Sequence, residues 1–216
     1  MTRLAVEWRN RVAAEYRSAS IASHVLTLGI GCGLPRSLLK TASRIVEDEL
    51  DHAELSHAVL TEVGNVHDPV SIDVRTLLPP ACDDALLALT DVVLRDFCFG
   101  ETFAVPLFRA MWRHTTRPTA LRALDRILRD EAVHRRFGYD MLDALLEIDL
   151  DGVRLAVQDR LAPNYAQYRR AFFEVEGPAL TELERSYGLL DAAGYRRGHD
   201  QAAAYVARAL LRRHIG

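Results

Sequence analysis

The sequence has few of the features that would place it outside ordinary folded domains. Glycine and proline number only 12 and 8 in 216 residues, too few for a fibrous or low-complexity chain. The three cysteines, Cys32, Cys82 and Cys98, form neither a paired framework nor a C-x-x-C motif. Neither a disulfide scaffold nor a zinc-thiolate site is expected, and free thiols are. No apolar run reaches the roughly 18 to 20 residues of a membrane span, and the stretch from Met1 to Ser20 carries charges every few residues where a secretory signal would be apolar. A cytoplasmic protein with no membrane partner is expected. Neither sign of charge is in excess: 27 basic residues against 30 acidic ones leave a net charge of -3, with no positive field to draw in nucleic acid.

What remains is 49% hydrophobic and 26% charged residues, enough to bury one sizeable core. Helical periodicity divides the first 150 residues into four long stretches. The first is predicted from Arg3 to Thr27, closed by the turn Gly29-Ile30-Gly31-Cys32-Gly33-Leu34-Pro35, with proline suited to the first turn of the next helix. The second continues to about Val63. Residues 65 to 81, with Pro69, Pro79 and Pro80, are too long for a tight hairpin and read as a crossover. The third runs from about Asp83 to His114 and the fourth, after Thr115-Thr116-Arg117-Pro118, to about Asp149. Two helical hairpins joined by a long crossover predict an all-α fold, a ferritin-like four-helix bundle over residues 1–150. Residues 151–216 read as a C-terminal helical extension packed on it, with shorter helices broken at Pro163, at Gly177-Pro178 and at Gly194 or Gly198.

The motif D-E-x-x-H occurs twice, as Asp48-Glu49-Leu50-Asp51-His52 and Asp130-Glu131-Ala132-Val133-His134. Residues i and i+3 share a helix face, so a Glu oxygen and a His nitrogen can point at one metal ion. One E-x-x-H alone is weak, and a further copy, Glu54 to His57, falls on a mostly polar face. Periodicity separates them. Leu38, Ala42, Ile45, Ser56, Val59 and Val63 form a seam that passes through Glu49 and His52, and Leu124, Ile127, Gly138, Met141, Leu145 and Ile148 form one through Glu131 and His134. Glu15 interrupts the seam Trp8, Val12, Ala19, Ala22, Leu26, and Glu101 interrupts Leu94, Cys98, Val105, Phe108, Trp112. Ionised carboxylates are seldom buried without a partner, so four on four apolar seams call for metal or protons. The hairpins agree on height: the midpoint of Glu15 and Glu49 is position 32, and that of Glu101 and Glu131 is position 116, each inside its turn.

These six residues resemble the ligand set of the ferritin-like di-iron carboxylate superfamily, which includes ribonucleotide reductase small subunits, rubrerythrins, bacterial multicomponent monooxygenases and arylamine N-oxygenases. The resemblance covers residues 1–150. It implies that Glu49 and Glu131 bridge two metals, with Glu15 and His52 completing one ion and Glu101 and His134 the other. It also implies that Asp48 and Asp130 hold the opposite hairpin's histidine by its second ring nitrogen.

Mixed carboxylate and imidazole ligands suit iron or manganese, and two iron ions are the expected cofactor. By resemblance, the expected activity is that of a di-iron oxidase or oxygenase attacking a C–H or N–H bond of a small organic substrate. Its partners would be dioxygen and an external electron donor. The alternative is an iron-binding, storage or peroxide-detoxifying protein. Ala19, Ala22, Cys98, Ala104 and Gly138 are expected to leave a pocket beside the ligands. Pro106 is expected to distort the third helix. His199 is the one candidate for an additional histidine ligand. The oligomeric state stays open, with a homodimer through an exposed apolar helix face as one option.

Overall fold

The computed structural model describes residues 1–77, 82–175 and 177–215, and they are helical, with no strand among them. Helix α1 (Arg3–Gly31) is capped by the Thr2 hydroxyl, which accepts from the Ala5 amide and satisfies one of the donors left free in the first turn. It outruns its predicted end at Thr27 by a full turn. Glycine inside a helix costs only about 1 kcal/mol, and Gly29 is buried where an added Cβ would stand 3.0 Å from Leu39 of the next helix. Close packing therefore outweighs the local preference. The chain turns at Gly33, whose φ of +69° suits glycine. Helix α2 (Arg36–Gly64) ends with Asn65 in the left-handed conformation.

The crossover carries a short 3-10 turn, Val74–Thr76; Pro79 and Pro80 lie outside the described residues. Helix α3 (Ala85–Val92), capped by Asp84, passes into a π-helical segment, Val93–Glu101, and then into α4 (Thr102–His114). The distortion expected near Pro106 thus lies on its N-terminal side and ends at Glu101. A π segment adds a residue per turn and moves the phase of everything beyond it. Val105 and Phe108 stay buried as expected, but Met111 is buried in place of Trp112, which is 40% exposed. Val25 similarly replaces Leu26 in the buried seam of α1, and Ile148 is exposed at the end of its helix.

Helix α5 (Pro118–Ile148) starts on proline at its first turn, where the missing amide has no intrahelical partner to lose. Helices α6 (Leu150–Phe173), α7 (Glu182–Ser186) and α8 (Ala192–Leu211) complete the chain. Pro163 does not break α6, and Gly194 and Gly198 are internal to α8, so two of the three expected breaks are absent. Gly177-Pro178 does fall between helices. Asn164, next to Pro163, donates its side-chain amide to the Arg160 carbonyl one turn back.

The arrangement is bundle-like. Helix α1 packs along α2, α2 against α5, and α5 against the π segment and α4, while α8 lies on α4 and α6 on α8 and α3. The apolar interior falls into two clusters. One includes Ala22, Val25, Ile45, Leu94, Phe97 and Phe137; the other includes Trp8, Val12, Val59, Phe108, Leu124 and Ile127. Each buried large side chain contributes about 1.5–3 kcal/mol. On α1, α2 and α5 the switch from one cluster to the other occurs at Glu15, at Glu49 and His52, and at Glu131 and His134, so a polar layer divides the core.

Candidate metal centre

The polar layer is fully internal. Glu15, Glu49, His52, Glu101, Glu131 and His134 are all buried, the two histidines completely. Two groups of potential ligand atoms converge within 4.8 Å: Glu49, Glu101, Glu131 and His134 form one, and Glu15, Glu49 and His52 the other. Glu49 alone belongs to both. Its carboxylate stands 3.1 Å from Nδ1 of His134 and 3.5 Å from Nδ1 of His52. Glu131, which the resemblance placed beside Glu49 as a second bridge, joins only the group containing Glu101.

The outer nitrogens of the histidines are tied down. Nε2 of His52 lies 3.1 Å from Asp130 and Nε2 of His134 lies 3.3 Å from Asp48. Arg126 donates to both aspartates, through Nε to Asp130 and Nη2 to Asp48. Hydrogen bonds to Nε2 leave each Nδ1 as the inward, lone-pair face. The inward atoms have no such partners. Nδ1 of both histidines, both oxygens of Glu49, Oε1 of Glu15 and Oε2 of Glu131 are sealed from solvent without a hydrogen bond. Buried polar groups of native proteins are normally satisfied, and six orphaned ligand atoms facing one another fit a metal site.

Electrostatics leads to the same conclusion. Burial, reinforced by the charge of Glu49, pushes the Glu15 carboxyl up to about 8. Burial also raises Glu101, and it raises Glu131 strongly, the latter with help from the Glu101 charge. Burial alone would raise Glu49 too, but the His134 and His52 imidazoles override it and hold that carboxyl at about 2. Desolvation opposes charge on His134, yet Glu49, Glu101 and Asp48 push it up to about 9. Without metal the cluster therefore holds protons, which cations would displace.

A cavity of about 400 Å³ opens directly on this layer, with Glu15, Glu101 and Glu131 in its wall. That volume is in the range of small-molecule sites. Of the five small residues expected to line a pocket, only Ala104 does so. Ala19 and Ala22 are buried in the core. Gly138 lies where an added Cβ would come within 2.7 Å of Phe97 Cβ and 2.8 Å of the Phe97 carbonyl carbon, and the Cys98 thiol donates to the Gly138 carbonyl at 3.4 Å. Close contact between α5 and the π segment explains Gly138 and Cys98. The cavity lies to one flank, between α1, the π segment, α4 and α6. Its body is lined by Phe97, Phe103, Phe108, Tyr168 and Phe172, and its polar wall includes Arg11, Glu7 and Asp96. Tyr168 and Phe172 come from α6, so the C-terminal region completes the wall.

His199 belongs to neither converging group. It packs among Phe103, Phe172 and Phe173, with ring centroids 5.4, 6.2 and 4.9 Å away, and its Nδ1 faces Asp200 at 3.1 Å. Glu54 is exposed, and His57 meets the Asp68 carbonyl. Arg11 and the α6 aromatics were not singled out in the sequence. Their available signals were the i, i+4 spacing of Arg11 to Glu15 and of Tyr168 to Phe172. Compared with protein-family models, curated proteins and solved structures, the chain matches none.

Proposed function

We propose that this chain is a ferritin-like di-iron carboxylate protein that uses dioxygen to oxidise a small organic substrate at a C–H or N–H bond. The observation that carries the reading is the junction of two features: an orphaned carboxylate and imidazole cluster sized for two cations, and a substrate-sized cavity whose wall includes three of its carboxylates.

In this reading Glu49 is shared between the ions, Glu15 and His52 hold one, and Glu101, Glu131 and His134 hold the other. Two reduced irons, when bound, supply electrons to dioxygen. The chain's own residues do the rest. Asp130, Asp48 and Arg126 fix the imidazole rings so that Nδ1 faces inward. The aromatic wall excludes water and holds the substrate's apolar body beside the ligands. In a hydroxylation, dioxygen accepts four electrons, two from the substrate bond and two from an external donor; one oxygen enters the product and the other leaves as water.

Storage of iron, the other role such a centre can serve, requires no organic-sized cavity next to the ligands, and this chain has one. The test is oxygen uptake by the iron-loaded full chain after anaerobic reduction. Uptake that requires the reductant, accompanied by a transient absorption and abolished in Glu49→Ala, is expected. Reduced iron that ignores oxygen, or iron accumulating far beyond two per chain in a multi-chain cage, would refute the proposal.

A further inference from the structure

One charged group on the cavity wall has no role in holding metal. Arg11 lies one turn before Glu15 on α1, and both line the cavity. Residues i and i+4 have Cβ atoms about 6 Å apart on a helix, so a group held by Arg11 is adjacent to the metal ligands. The guanidinium carbon lies over two aromatic rings, 4.9 Å from the Trp8 centroid and 4.8 Å from that of Phe108. One donor, Nη2, meets only the thioether of Met111 at 3.3 Å, a weak acceptor. Nε is sealed from solvent with no acceptor at all. Glu7 and Glu15, one turn to either side, form no ion pair with it, and among the described residues no carboxylate does.

A buried guanidinium without a carboxylate partner, on the wall of an apolar cavity, is a receptor for an anion. We propose that the cavity takes an apolar carboxylic acid. Its carboxylate sits on Arg11, its hydrocarbon body lies against Phe103, Phe108 and Tyr168, and its carbons nearest the carboxylate stand beside the layer of Glu15, Glu101 and Glu131. The wall selects for a monoanion. A single cation balances a single charge, whereas Glu7, also in the wall, repels a dianion such as a phosphate monoester. The inference rests on the functional reading above for the reaction that follows, while the binding step stands on Arg11.

The test is calorimetric titration of the iron(II)-loaded full chain, kept anaerobic, with butanoate, octanoate and 3-phenylpropanoate, each against its primary amide. A charge-assisted pair in such a site favours the acid by about ten- to a hundred-fold. At least one acid is expected to bind that much tighter than its amide, Arg11→Met to lose the difference, and Arg11→Lys to keep part of it. No acid outbinding its amide, total absence of binding included, overturns the proposal, as does a preference that survives in Arg11→Met. Should that variant fail to fold, the wild-type comparison and Arg11→Lys decide. Acid preference in a chain that takes up no oxygen would sink the oxidase reading alone; oxygen uptake without acid preference would sink this one alone.

Discussion

Asp130 of α5, the residue immediately before Glu131, lies 3.1 Å from Nε2 of His52 on α2. The reverse contact, Asp48 to His134 at 3.3 Å, makes each D-E-x-x-H segment supply the support for the other's histidine. The two helices are cross-linked at the height of the buried carboxylates, and Arg126 bridges both aspartates from outside.

Such supporting carboxylates typically govern metal affinity about 10- to 100-fold. Asp130→Asn and Asp48→Asn should each weaken metal binding by that order with little loss of helicity. Competition against a chelator of known affinity measures it. Unchanged affinity in both variants would show that the histidines do not serve as ligands.

Glu49 is common to both ligand groups, whereas Glu101 belongs to one. Glu49→Ala is expected to reduce the metal content to near none, and Glu101→Ala to about half of the wild-type value, as a shared and an unshared ligand require. Glu54→Gln, on an exposed residue, should leave it unaltered. Elemental analysis of the three variants side by side distinguishes these outcomes.

The protonated cluster gives metal-free protein an unusual pH dependence. Glu15 rises from an ordinary 4.5 to about 8 on folding and His134 from 6.5 to about 9, so the folded state binds more protons than the unfolded one across this window. Stability is then lost as pH rises, from about 4.5 through 9 on these two values. Glu49, held at about 2, acts oppositely, its contribution disappearing as pH falls from 4.5 toward 2. Chelator-treated protein should therefore melt at lower temperature at pH 8.5 than at pH 6, and metal affinity should increase with pH as ions displace protons. A melting temperature that climbs across the same interval would contradict the assignment.

Gly138 packs tightly against the π segment, and its substitution by alanine would push a Cβ into Phe97 backbone. Overpacking of this kind costs about 1–3 kcal/mol, equivalent to several degrees in Tm for a chain of this size. Thermal denaturation of Gly138→Ala checks it.

The sequence made the polar layer legible because ligands on helices must obey the helical period: Glu49 with His52, and Glu131 with His134, each continue an apolar seam. The π segment was not legible, since it differs from an α-helix only in hydrogen-bond register; Pro106 marked the region but not the residues that unwind. Small side chains misled for a related reason. Alanine and glycine on a seam accommodate either a ligand or a neighbouring backbone, and at Gly138 the neighbour is Phe97. The cavity wall was equally hidden, because Tyr168 and Phe172 reach it only through the docking of α6, a contact that no local pattern encodes. Arg11 sits on the flank of α1 facing that wall, off the seam that periodicity picks out.

The most direct test of the central claim is the metal content of the full chain, purified with iron and manganese both available and read by elemental analysis. The account predicts about two metal ions per chain, iron in preference to manganese, lost on chelation and restored by iron(II). Protein that emerges metal-free and cannot be reconstituted would contradict it, leaving four buried carboxylates and two histidines neutralised by protons alone.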